Sequence, residues 1–191
     1  MRKLLLLLLA AMLWAYSAQA DAFTDFGVIK PEVRMQAPDF SLPDMDGKQR
    51  TMASLQGKVV ILHFWASWCV PCRKEMPTLH HLHNSFEGKN IELVCVSTDT
   101  GSKKKIEAFM NDINLHFNTL LDPAGDVREK YAVRALPTTY LIASDGKISG
   151  RIIGERDWKK AGPMLASLLA EGVEKEMQEN KTVQMEHKHD K

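Results

Sequence analysis

The sequence predicts an α/β fold, and three observations carry that reading. Two runs rich in β-branched and aromatic residues, 58–65 and Ile91–Ser97, flank a stretch of helical content and spacing at 73–86; strand, helix, strand implies a right-handed parallel crossover. Residues 138–143 and 147–153 flank Ser144-Asp145-Gly146, which is hairpin chemistry. The 191 residues are 45% apolar and 26% charged, enough for one domain of ordinary size with a packed core.

Taken in order, residues 1–20 read as an export signal. Arg2 and Lys3 precede an apolar run through Ala15, and Ala18-Gln19-Ala20 supplies the small residues of a cleavage site. Twelve residues make roughly 18 Å of helix, short of the roughly 30 Å hydrocarbon core, so a cleaved signal is expected before a retained anchor. Residues 21–36 show no sustained period and are expected to lie across the domain surface as a lead segment. Residues 39–42 alternate, Asp46-Gly47 signals a turn, and 49–52 return as the second strand of a hairpin.

Residues 58–65 are the expected central strand. After the crossover, 102–113 read as an amphipathic helix with Ile106, Phe109, Met110 and Ile113 on one face. A short strand is expected at 117–121, two helical turns at 126–131, then the hairpin. Gly162-Pro163 suits the entry of a last helix carrying Leu165, Leu168 and Leu169. The domain is expected to span 37–172. Residues 173–191 are polar and are expected to be a disordered tail; its Met185 and histidines are weak grounds for a metal site.

Twenty-five Lys and Arg against twenty-four Asp and Glu give a net charge of +1, so no overall field recruits nucleic acid, and none is expected as a partner. No internal period marks a repeat protein.

The chemistry concentrates in three cysteines. Cys69 and Cys72 form a Cys-Val-Pro-Cys pair after the central strand and at the start of a helix, while Cys95 lies inside a buried strand and reads as a small core hydrophobe. A bridge closing four residues contributes only about 2 kcal/mol in the chain-entropy model, a poor structural staple. Thiol–disulfide exchange uses the arrangement better. The helix N-terminus favours a thiolate at Cys69, the expected nucleophile, and Cys72, one turn in, can resolve the mixed disulfide. Pro71 and Val70 stiffen the loop. Zinc binding with His80, His81 and His83, read as exposed helix positions, has the wrong spacing, and no metal or cofactor is expected.

The segment Phe64-Trp65-Ala66-Ser67-Trp68-Cys69-Val70-Pro71-Cys72-Arg73-Lys74-Glu75-Met76-Pro77 resembles the active-site block of thioredoxin-fold oxidoreductases, most closely the exported TlpA/ResA-like branch. The likeness extends over roughly 37–169 and includes Ala37-Pro38-Asp39-Phe40, Ala135-Leu136-Pro137-Thr138 and Asp157-Trp158. The resemblance implies a thioredoxin-like fold: a central mixed β-sheet flanked by helices, with an N-terminal β-hairpin and an extra helix inserted after the second parallel strand. It also implies that Pro137 is a cis-proline beside the dithiol, leaving the Leu136 backbone free to pair with a substrate strand, and that Pro77 kinks the active-site helix.

Glu75 follows Cys72 by three residues and matches a glutamate of that branch, which implies a proton-handling or substrate-recognition role. His63 stands where ordinary thioredoxins carry a buried aspartate, and is read either as a proton acceptor or as a satisfied core histidine. Trp65 is expected in the core, and Trp68 at the dithiol, facing a partner.

The resulting expectation is a periplasmic thiol–disulfide oxidoreductase that reduces selected protein disulfides. The resemblance suggests cytochrome c maturation or copper-site assembly, hence apocytochrome c or copper-site proteins as substrates and a membrane thiol as electron donor. A Cu(I)-delivery module and a general disulfide oxidant are the competing readings. A peroxidase lacks its expected Pro-x-x-x-Thr-x-x-Cys setting.

Overall fold

The computed structural model describes residues 22–86, 88–101, 103–115 and 118–171. The expected signal at 1–20 and the tail at 173–191 lie outside the described residues, as does the start of the strand expected at 117. Among the described residues, no helix is long and apolar enough to cross a membrane.

A short antiparallel hairpin comes first, β1 (Ser41–Pro43) with β2 (Gln49–Thr51). The main sheet contains β3 (Val59–Trp65), β4 (Ile91–Ser97), β5 (Thr119–Leu121), β6 (Thr138–Ile142) and β7 (Ile148–Ile153), in the spatial order β5-β4-β3-β6-β7. β3 runs parallel to β4, and β4 to β5; β3 and β6, then β6 and β7, pair antiparallel. The sheet is therefore mixed.

The helices are α1 (Val70–Asn84), α2 (Lys104–Asp112), α3 (Asp126–Lys130) and a closing α4 that begins at 162 and runs through the last described residue. α2 is the helix inserted after the second parallel strand. α1 starts three residues earlier than the composition of 73–86 suggests, because Val70 and Pro71 already occupy its first turn: proline's missing amide costs nothing there.

β3 is buried along its whole length, which explains its near-continuous apolar run. Its side chains alternate between two cores. Val59, Ile61 and Trp65 meet α1 through Met76, Leu79 and Leu82, α2 through Ile106 and Phe109, and α4 through Met164 and Leu168. Val60, Leu62 and Phe64 meet the hairpin through Phe40 and Leu42 and the α3 region through Val127 and Tyr131.

The lead segment is more deeply committed than its irregular sequence suggests. Phe23, Phe26 and Val28 are core residues, and Phe26 lies 5.4 Å from the Trp158 ring between centroids. Ile29 bridges to Arg151 and Gln36 to Lys147, so the chain runs along the outer edge of β7. No period reveals this because a helical turn and isolated bridges, not one regular element, bury those side chains.

Candidate functional site

The turn between β3 and α1 carries the cysteines. Asp99, two residues past the end of β4, accepts from the Ser67 amide at 2.9 Å and the Ser67 hydroxyl at 2.6 Å, and from Ser97 Oγ at 2.7 Å. This buried carboxylate pins the residues that lead into Trp68 and Cys69. The only hint of Asp99 in the sequence is its place just past the carboxyl end of a parallel strand.

Cys69 is the N-cap of α1. Its sulfur accepts from the Cys72 amide at 3.3 Å, and the two cysteines form a disulfide with their Cα atoms 5.3 Å apart. An N-cap position faces the unpaired amides of the first turn, which stabilise a sulfur anion. Cys72 is fully buried, Cys69 nearly so at 4% exposed.

A surface pocket of about 360 Å³ opens over Cys69, lined by Trp68, Val70, Pro71, Arg128, Ala135 and Leu136 among others. Trp68 is 67% exposed, whereas Trp65 is wholly buried. The Leu136–Pro137 peptide bond is cis. The structure thus gathers Trp68, Pro71, Leu136 and both cysteines at one place, although Leu136 is distant in sequence.

Glu75 lies underneath, on the inward face of α1, and is buried rather than solvated. Its Oε2 accepts from the Arg156 amide and from Trp158 Nε1, each at 2.9 Å. Burial pushes its carboxyl up to about 7, against the pull of those two donors. His63 Nε2 lies 3.6 Å from Glu75 Oε1, and His63 Nδ1 is 2.9 Å from Thr139 Oγ1. Burial holds the imidazole down to about 3, so it is neutral.

Cys95 is free and buried, and its thiol is pushed well above its usual range by burial and by Glu75. Arg156, Thr139 and the hydrogen-bonding role of Trp158 were not readable from local pattern, since each reaches the site through tertiary folding. The histidines of α1 depart from expectation: His81 is exposed, but His80 and His83 are half-buried. Among the described residues, no cluster of three His, Cys, Asp or Glu could hold a metal ion.

The AhpC/TSA family model matches residues 33–151. A thiol-disulfide oxidoreductase ResA from Geobacillus thermodenitrificans is 36% identical over 154 residues, covering 81% of this chain and 86% of the relative. The chain belongs to this family. A ResA from Bacillus subtilis is 37% identical over 118 residues, 62% of this chain and 65% of the relative. Among solved structures, one described as a DsbE thiol:disulfide interchange protein from Chlorobium tepidum shares 31% identity at a TM-score of 0.65, covering 74% of this chain and 99% of the other. StoA from Bacillus subtilis shares 27% at a TM-score of 0.57, covering 68% and 96%. The fold is thioredoxin-like, and membership of this ResA-like group makes the chain a thiol–disulfide oxidoreductase.

Proposed function

We propose that this oxidoreductase works in the periplasm, exported by a signal at 1–20, as a reductant of selected protein disulfides. Cys69 attacks and Cys72 resolves. The observation that carries this reading is the asymmetry of the pair: Cys69 caps α1 and lines an open pocket, while Cys72 is sealed one turn behind it.

The Cys69 thiolate attacks one sulfur of the substrate disulfide, forming a mixed disulfide and releasing the other sulfur as a thiolate. Cys72 then gives up its proton and attacks Cys69 Sγ. The second substrate thiol leaves, two electrons have passed to the substrate, and the protein keeps the Cys69–Cys72 disulfide. Glu75 receives the Cys72 proton: a carboxyl held near neutrality can both accept and return it. Trp68, Pro71 and Leu136, which line the pocket, form the platform for the substrate strand together with Pro137, joined to Leu136 by the cis peptide bond.

An oxidising compartment regenerates no dithiol by itself, so a membrane thiol donor must restore the reduced form. The sequence resemblance points to cytochrome c maturation or copper-site assembly, with apocytochrome c or copper-site proteins as clients. The test is capture in cells with Cys72→Ala. A mixed disulfide through Cys69 to apocytochromes or copper-site proteins is expected. Disulfide reduction that persists in Cys69→Ala would overturn the mechanism.

A further inference from the structure

His63 stands in the middle of a strand buried on both faces, paired in register with Cys95 on β4 and Thr139 on β6. A polar ring there is costly unless each nitrogen has a partner. Nδ1 has one in Thr139 Oγ1. Nε2 has none, and neither has Glu75 Oε1, yet these two unpartnered atoms face each other across 3.6 Å. At 3.6 Å the two atoms stand just outside ordinary hydrogen-bond distance.

We propose that Thr139, His63 and Glu75 form a two-state hydrogen-bond chain, in which gain or loss of one proton by Glu75 reverses the imidazole tautomer and leaves no buried polar atom stranded. The proposal rests on the reading of Glu75 as the proton-handling carboxylate. It makes His63 a positioning residue for Glu75, not the acceptor itself, and gives Thr139 a role.

The chemistry of the three groups dictates the two states. With Glu75 ionised, the ring proton sits on Nε2 and is donated toward Oε1, while the Thr139 hydroxyl donates to Nδ1. With Glu75 protonated, Oε1–H donates to Nε2, the ring proton sits on Nδ1, and Nδ1–H donates to Thr139 Oγ1. The states differ by one proton, and the ring is neutral in both. The other combination for ionised Glu75 sets two lone pairs against each other with no donor between them.

The added proton comes from the Cys72 thiol during resolution, or from water at the surface pocket lined by Lys74, Glu75, Thr78, Glu155, Arg156 and Asp157. The groups facing Glu75 from the elements around it are His63 on β3, Cys95 on β4, and Glu155, Arg156 and Trp158 beyond β7, with Cys72 on its own helix. Burial keeps the ring from charging, so a tautomer change is the response open to it.

The test is nitrogen-15 NMR of the His63 ring in the full-length oxidised protein, where Cys72 cannot titrate, between pH 5 and pH 9. The expected result is a neutral ring throughout, protonated on Nδ1 at the acid end and on Nε2 at the alkaline end. Its single transition should coincide with the carbon-13 titration of the Glu75 carboxyl, and Glu75→Gln should abolish it. One tautomer at every pH, an imidazolium signature, or a transition that survives in Glu75→Gln would overturn the proposal.

His63→Leu should move the Glu75 midpoint upward by about one pH unit, because the charge-assisted bond lost by the ionised form is stronger than the neutral bond lost by the acid. His63→Gln, which can donate or accept, should restore most of it; a midpoint unmoved in His63→Leu counts against the chain. The two readings fail separately. A fixed tautomer beside a Glu75-dependent resolution step would remove the chain alone, whereas a reversing tautomer beside resolution indifferent to Glu75→Gln would remove only the proton-handling reading.

Discussion

Trp158 donates its indole N–H to Glu75 Oε2 at 2.9 Å from 83 residues further along the chain. The bond ties the loop after β7 to the middle of α1 and supplies one of two donors to a carboxylate that burial would otherwise hold protonated still more firmly. Trp158→Phe keeps a ring against Phe26 and removes only that donor. Losing a donor to the anion favours the acid, so the Glu75 midpoint should rise by about one pH unit, and the acid limb of the disulfide-reduction rate should move upward with it. A pH–rate profile of the variant checks this.

Stability should depend on pH through the same carboxyl. Its folded value, raised from 4.5 to about 7, means that the folded state holds the proton more tightly than the unfolded chain. The stabilisation is therefore fully present below pH 4.5 and is lost as pH rises to about 7, up to about 3 kcal/mol across that window. His63 acts in the opposite sense: its depressed value means stability present above pH 6.5 and lost as pH falls toward 3. Urea unfolding of the oxidised protein at pH 5 and pH 8, beside Glu75→Gln, separates the two. The parent should lose stability relative to the variant between those pH values.

Trp68 is mostly exposed beside the disulfide, so its packing contributes little. Trp68→Ala should change unfolding free energy by less than about 0.5 kcal/mol. The KM for a folded protein disulfide should rise several-fold, while the rate with a small thiol reagent stays near that of the parent. Kinetics with the two substrates, together with a denaturant melt, make the measurement.

Gly150 marks where the lead segment lies close beside β7. A Cβ there would stand 2.3 Å from Val28 Cγ1 and 3.3 Å from the Ile29 carbonyl oxygen. Gly150→Ala should push the segment outward and cost about 1–3 kcal/mol, read from the shift in denaturation midpoint. Faster proteolysis near residues 29–36 should accompany it.

What the sequence made legible follows the range of the interactions. The strand–helix–strand order and the late hairpin are local patterns of periodicity and turn chemistry, and they appear as β3, α1, β4, β6 and β7. Trp65 and Trp68 were told apart because one continues an apolar strand and the other follows its end. His63 was visible as a polar residue in an apolar run, but its neighbours were not: Thr139 lies 76 residues away and meets it only through the β3–β6 register. Glu75 was legible as a same-face neighbour of Cys72, whereas its burial depends on the loop that brings Arg156 and Trp158. Phe23 and Phe26 carry no local signal for the same reason, as their burial partners come from the far end of the chain.

Open strand edges invite foreign chains to continue a sheet, and here both flanks are occupied from within. On one side Ile29 and Gln36 pair with β7; on the other Asp44, just past β1, bridges to Leu120 on β5. The first twenty-odd described residues and the hairpin thus act as selvedges, finishing the fabric so that it does not extend. The consequence is directional: a strand arriving from outside finds those two borders already paired, at Arg151 and Lys147 on one side and at Leu120 on the other.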